Sequence, residues 1–181
     1  MAPQDILAAV FFDIAGAPLT LIRTSAVVAP GSIVVFGVTD PGGVVGGEWA
    51  YASALAGAPS GAAYGISASG FDLFAVGDLF PGSDLSPPAA PNGLNYAITS
   101  AGDDTSTGNA AVTGDSPLIQ NSVVFTLSGL PVGFNVNTAF SNVTFQYGTD
   151  FSEPRFPGIP APGSAIAALL GVGLAARRRR A

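Results

Sequence analysis

Glycine and proline interrupt this chain too often for a long helix to form anywhere ahead of its C-terminal segment. The 181 residues include 24 glycines and 15 prolines. Between them lie short runs rich in Val, Ile, Phe, Tyr and Thr, which read as strands when turn residues bound them. The expected strands cover 6–14, 19–28, 32–39, 48–55, 64–69, 71–74, 94–99, 122–130 and 142–147, separated by turns such as Asp40-Pro41-Gly42-Gly43 and Pro81-Gly82-Ser83-Asp84. Regular short strands with no helical period between them point to an all-β fold. The expectation is an antiparallel β-sandwich or jelly-roll-like domain, followed by a short C-terminal hydrophobic helix.

Alternation supports this reading. Val123, Phe125 and Leu127 alternate with Val124, Thr126 and Ser128, the two-residue period of a half-buried strand. Val143, Phe145 and Tyr147 repeat the pattern against Thr144 and Gln146. Joined by 130–141, these two runs are expected to pair with each other. Segments 78–93 and 101–118 are the long loops, and there is no internal repeat. The length supports one domain with one core. The division expected is a β-sandwich body over 1–153, a proline-rich linker over 154–159, and a distinct segment over 160–181.

Composition excludes several chemistries. There is no Cys, His or Lys, which removes the usual general base, the thiol nucleophile, Cys/His zinc sites, disulfides and Schiff-base chemistry. The formal charge is −6. Four of the six arginines stand together near the C-terminus, which leaves Arg23 and Arg155 against twelve acidic residues and a body at −10. Such a body repels phosphate backbones, so no nucleic-acid partner is expected.

Three places in the body invite a functional reading. The loop Asp103-Asp104-Thr105-Ser106-Thr107-Gly108-Asn109 gathers oxygen ligands of the kind calcium takes. Its spacing is not that of an EF-hand, and a polar turn is the commoner explanation. Trp49 and Tyr51 share one face of a strand, where aromatics can stack on a sugar but more often fill a core. A two-carboxylate glycosidase needs only acidic pairs, yet Glu48 and Glu153, the two glutamates, lie far apart in sequence. Serines have no His partner. The body is therefore read as noncatalytic, with no cofactor or metal. A carbohydrate- or calcium-binding adhesion module is the alternative, and a secreted glycosidase the weaker one. The sequon at Asn142 falls within an expected strand and is read as incidental.

The C-terminal segment is more specific. It runs Pro160, Ala161, Pro162, Gly163, then an uncharged stretch from Ser164 through Leu169, Leu170 and Leu174 to Ala176, then Arg177, Arg178, Arg179 and Arg180. Ala and Leu favour a helix, and Pro162 with Ser164 makes a start signal. Residues 160–176 as helix span about 25 Å, a little less than the roughly 30 Å of a hydrocarbon core, and arginines recover length by snorkelling. A helix packed on a domain would show a polar face, which this one lacks beyond Ser164. The arginine cluster orients the segment with its end in the cytoplasm and the acidic body on the opposite side.

This three-part order resembles the PEP-CTERM sorting signal of exosortase-dependent bacterial surface proteins. By that resemblance, Pro160, Ala161 and Pro162 correspond to the Pro-Glu-Pro recognition element, with Ala161 where the family has Glu. The arginines at 177–180 correspond to the basic stop. The stretches 99–104, 118–129 and 142–149 also look like segments of such proteins. The resemblance implies an exported protein, held transiently in the cytoplasmic membrane and then passed by an exosortase-type enzyme to the cell surface or extracellular matrix, with exopolysaccharide as a further partner. It implies no biochemical activity, since the family has none agreed. Export requires a signal peptide, and the run at 6–12 is a poor one: no basic residue precedes it, Asp5 and Asp13 bracket it, and Pro18 follows the Ala15-Gly16-Ala17 that would be its cleavage site. The expectation is a strand there and a signal encoded upstream of Met1.

Overall fold

The computed structural model describes residues 1–158 apart from Ala17, Thr39 and 109–115. The segment 160–181, with the sorting motif, apolar stretch and arginine cluster read from it, lies outside the described residues. The fold is mostly β. Its strands are β1 (Leu7–Ile14), β2 (Ile22–Val28), β3 (Ile33–Val35), β4 (Ala50–Ser53), β5 (Tyr64–Ser67), β6 (Ala97–Thr99), β7 (Leu118–Gln120), β8 (Val123–Ser128), β9 (Phe140–Tyr147) and β10 (Arg155–Pro157), with a short α-helical turn, α1 (Val136–Ala139), and four 3-10 turns among the described residues. Among the described residues no helix is long and apolar enough to cross a membrane.

β1 is the axis of the fold. Its sequence, LAAVFFDI, is apolar on both faces up to Asp13, as a strand covered on both sides must be. β9 pairs with one side of it and β5 with the other, while Leu7 at its start also pairs with Ile98 of β6. From β5 the sheet continues to β4, and from β6 through β7 to β3. β2 and β8 form a separate antiparallel ribbon, Ala26 opposite Phe125.

The large sheet is thus packed on two sides. One face, carrying Phe12, Tyr64, Ile66, Trp49 and Tyr51, meets Phe125 and Leu127 of the ribbon. The other, carrying Ala9, Phe11 and Ala50, is covered by loop residues Phe71, Phe74 and Phe151. Phe71 and Phe151 stack at 4.8 Å between ring centroids, and Phe11 meets Phe71, Phe74 and Phe151 at 6.3, 6.1 and 5.9 Å. Aromatic pairs at these separations contribute beyond their buried area.

Several expectations change. The strands at 123–128 and 142–147 do not pair: β8 lies on β2, and β9 on β1 and β10. Alternation fixes the face a residue turns to, not its neighbour, and the most apolar strand takes the place beside β9. The inward face of β8 is as expected, with Val123, Phe125 and Leu127 half-buried and their alternates exposed. In β9, however, Thr144 and Gln146 are the buried residues, because loops cover the face assigned to solvent. Residues 71–74 are a turn rather than a strand. Phe71 and Asp72 have φ of 48° and 57°, and the N–H groups of Leu73 and Phe74 both donate to the Gly70 carbonyl.

Of the stretch expected as a linker, 154–159, the structure describes residues up to Gly158. Residues 155–157 form β10 against the open edge of β9, a position that tolerates proline because no ladder N–H is required there. The Gly158 N–H then donates to Val143 O at 2.7 Å. Finally, β6 and β7 run parallel, which makes the sheet mixed.

Candidate functional site

A broad polar cleft of about 770 Å³ lies between the start of β2, the outer edge of β4 and the loop carrying residues 72–81. In β2, Ile22 and Thr24 face solvent, so Arg23 between them turns inward, as strand alternation demands. The loop is fastened to β4 where Phe80 N donates to Trp49 O at 2.8 Å and Leu79 bridges to Ala50. That attachment brings Asp78 to Arg23, Oδ1 to Nη1 at 3.6 Å, with both side chains about a third exposed. Asp78 is braced by its other oxygen, Oδ2, which accepts from Ala75 N at 2.9 Å. Asp72 lines the same cleft from the 70–74 turn, and Leu21, Leu55 and Leu73 supply apolar wall.

Tyr51 lies at the cleft's inner side. It is 5% exposed, and its hydroxyl has no hydrogen-bond partner among the described residues. Burial pushes the phenol up to about 12; Tyr64 adds to the shift and the positive charge of Arg23 draws it back. An unpaired buried hydroxyl is costly, so the group is a standing hydrogen-bonding capacity beside an ion pair.

The residues singled out from sequence fall elsewhere. Trp49 is core: it is 1% exposed, its Nε1 donates to Tyr96 O at 3.0 Å, and its ring meets Phe125 edge-on at 4.9 Å. It offers no face to a sugar.

The carboxylates of the Asp103 loop are engaged in local hydrogen bonds. Asp103 Oδ2 accepts from the Thr99 hydroxyl and from Ser100 N, and Asp104 Oδ1 accepts from Ser106 N and Oγ at 2.9 and 2.6 Å. The Ser106 hydroxyl and N–H hold Asp104 below the usual carboxylate range. Asn109 lies outside the described residues. Among the described residues no group of three or more acidic side chains could hold a metal ion.

The two glutamates serve different loops. Glu48 is fully buried, and its Oε1 accepts the N–H groups of Leu85 and Ser86 at 2.5 and 3.1 Å, while Oε2 has no partner among the described residues. Burial raises its pKa, against the lowering by those two N–H groups, and nearby Asp84 adds a smaller rise. Glu153 accepts from Thr149 N and Asp150 N at 2.6 and 2.9 Å. The Asn142 amide donates to Asp13 Oδ2 and Ser60 O, both at 3.0 Å.

Gln146, buried in β9, sends its amide nitrogen towards the carbonyls of Tyr147, Asp150, Glu153 and Pro154 at 2.8–3.4 Å and so closes the turn before β10. Sequence reasoning missed both this residue and the cleft. The one available signal was Arg23, a lone cation in a β-prone run. Compared with known protein families, with curated proteins and with solved structures, the chain matches none.

Proposed function

We propose that this chain is a noncatalytic, exported protein of the bacterial cell surface or extracellular matrix, delivered by its C-terminal segment. In this reading the body is a curled β-sandwich in which the β2–β8 ribbon covers one face of the large sheet. Residues 160–181 are the sorting signal, with Pro160, Ala161, Pro162 and Gly163 as the recognition element. The stretch from Ser164 to Ala176 is a short membrane helix, and Arg177, Arg178, Arg179 and Arg180 are the cytoplasmic stop. An exosortase-type enzyme is the processing partner, and the membrane holds the protein only until it acts. Exopolysaccharide is the partner expected outside the cell.

One observation carries the proposal: the order of Pro-x-Pro, charge-free apolar stretch and terminal arginine cluster. Each part alone is common, but together they describe a stop-transfer segment with a recognition site on its outer side. The charge distribution supports it, since an acidic body at −10 is not retained by the arginine bias that holds the tail inside.

The test is fractionation of cells expressing the exported full-length chain and a form lacking residues 160–181. The full chain is expected in the membrane fraction when no exosortase is present, and the shortened form in the medium. Equal release of the two forms overturns the proposal.

A further inference from the structure

We infer that the cleft between β2, β4 and the 72–81 loop is a binding site for a neutral, hydroxyl-rich ligand, a short oligosaccharide, held by Arg23, Asp72, Asp78 and Tyr51. The inference does not rest on the sorting signal, and it places a ligand away from Trp49 and the Asp103 loop.

The volume comes first. About 770 Å³ is within the volume range of ligand clefts, and the cleft is open to solvent. The polar groups then select the chemistry. Arg23 donates only, Asp72 and Asp78 accept only, and the Tyr51 hydroxyl does both. A ligand that satisfies all of them must carry donors and acceptors side by side, as the vicinal hydroxyls of a sugar do.

Charge excludes the obvious competitor. An isolated arginine would suit a phosphate or carboxylate, but Asp78 already neutralises Arg23 at 3.6 Å, and Asp72 leaves the lining one charge negative. An anion would meet net repulsion. The aliphatic wall of Leu21, Leu55 and Leu73 suits the C–H face of a sugar ring.

Tyr51 supplies the independent observation. Its hydroxyl is more than nine-tenths buried, unpartnered among the described residues, and close enough to Arg23 to feel its charge. The Arg23–Asp78 pair is about a third exposed on both sides, and pairs of that kind are weakly held. In the proposed complex a ligand hydroxyl beside Arg23 partners the phenol. Binding then exchanges a loose ion pair and an unpaired hydroxyl for several satisfied bonds, which is a physical reason for leaving Tyr51 unpaired in the free protein.

The test is calorimetric titration of the purified full-length chain with neutral trisaccharides (cellotriose, xylotriose, laminaritriose, maltotriose and mannotriose), with trigalacturonate and inorganic phosphate as charged comparisons. Delivery plays no part in this measurement, so its outcome is separate from that of the sorting proposal. At least one neutral trisaccharide is expected to bind. Tyr51→Phe and Arg23→Gln are each expected to weaken that binding about tenfold, the effect of one lost hydrogen bond, while Asp104→Asn in the distant loop leaves it unchanged. Tyr51→Phe removes a hydroxyl with no partner among the described residues, so it is expected to fold, and the emission of Trp49 reports whether it does. Three results overturn the inference: no neutral trisaccharide binding at millimolar concentration, tighter binding of trigalacturonate or phosphate, or binding indifferent to both variants.

Discussion

Glycine 47 tests whether the 80–86 loop is seated as described. A Cβ added there falls on the carbonyl of Ser83 and within 3 Å of Asp84 N, while one at neighbouring Gly46 falls on the carbonyl of Pro81. Gly47 is not among the positive-φ residues, so an alanine there is strained by contact alone. Backbone atoms cannot rotate away as a side-chain tip can, so the loop itself must move. Three bonds depend on its seat: Phe80 N to Trp49 O, and the Leu85 and Ser86 N–H groups to Glu48. Losing them costs about 1 kcal/mol each, and forced overpacking adds to that, so Gly47→Ala should destabilise by about 3–5 kcal/mol. In a chain of this size the melting temperature falls on the order of 10 °C. Trp49 is the one tryptophan and is 1% exposed, so its emission in a urea titration reports the transition directly. Gly77→Ala is the control: nothing lies within 4 Å of that Cβ, and its effect should stay within about 0.5 kcal/mol. If Gly47→Ala unfolds at the wild-type urea concentration, the loop is not packed on Gly46 and Gly47 and the reasoning fails.

Four further outcomes are expected. Glu48 has a pKa raised above its unfolded value of 4.5, so its contribution is fully present below that pH and is lost as pH rises through the folded pKa. Glu48→Gln should therefore gain stability relative to wild type as pH rises from 4.5 to 7; a difference independent of pH in paired melting curves refutes this. Gln146→Ala should cost about 2–3 kcal/mol, since the carbonyls closing the 147–154 turn lose their shared donor; chemical denaturation measures it, and a loss under about 0.5 kcal/mol refutes it. Tyr51→Phe should match or slightly exceed wild-type stability, because the deleted hydroxyl has no partner among the described residues; a drop in melting temperature refutes this. Millimolar calcium should leave the melting temperature unchanged, because the carboxylates of Asp103 and Asp104 are engaged in their own turns; a rise in melting temperature refutes this.

Much of the fold could be read from local pattern. The run from Leu7 to Phe12 has no turn residue and is apolar on both faces, so its identity as a strand needs no tertiary information, and the alternation of Val123, Phe125 and Leu127 assigns the inward face of β8. Pairing could not be read, because β1, β5 and β9 come together across most of the chain and periodicity carries no partner information. Residues 71–74 misled because Phe71 and Phe74 look like strand residues, yet they are apolar in order to roof Phe11 from a turn. Thr144 and Gln146 misled because loops cover the face that polarity assigned to water. The cleft was out of reach for the same reason as the pairing: Arg23, Tyr51 and Asp78 are separated by long stretches of chain and meet only after the loop bonds to β4. The C-terminal segment is different in kind, since its argument is linear order and needs no fold.

The central claim, delivery by that segment, is tested most directly by the mass of the released protein. The exported full-length chain is produced in matched cells with and without an exosortase, and the intact mass of protein in the medium is measured. Release is expected only with the enzyme, as a chain that has lost Arg177, Arg178, Arg179 and Arg180 together with the apolar stretch before them. A released chain that still carries all four arginines in the presence of the enzyme would contradict it.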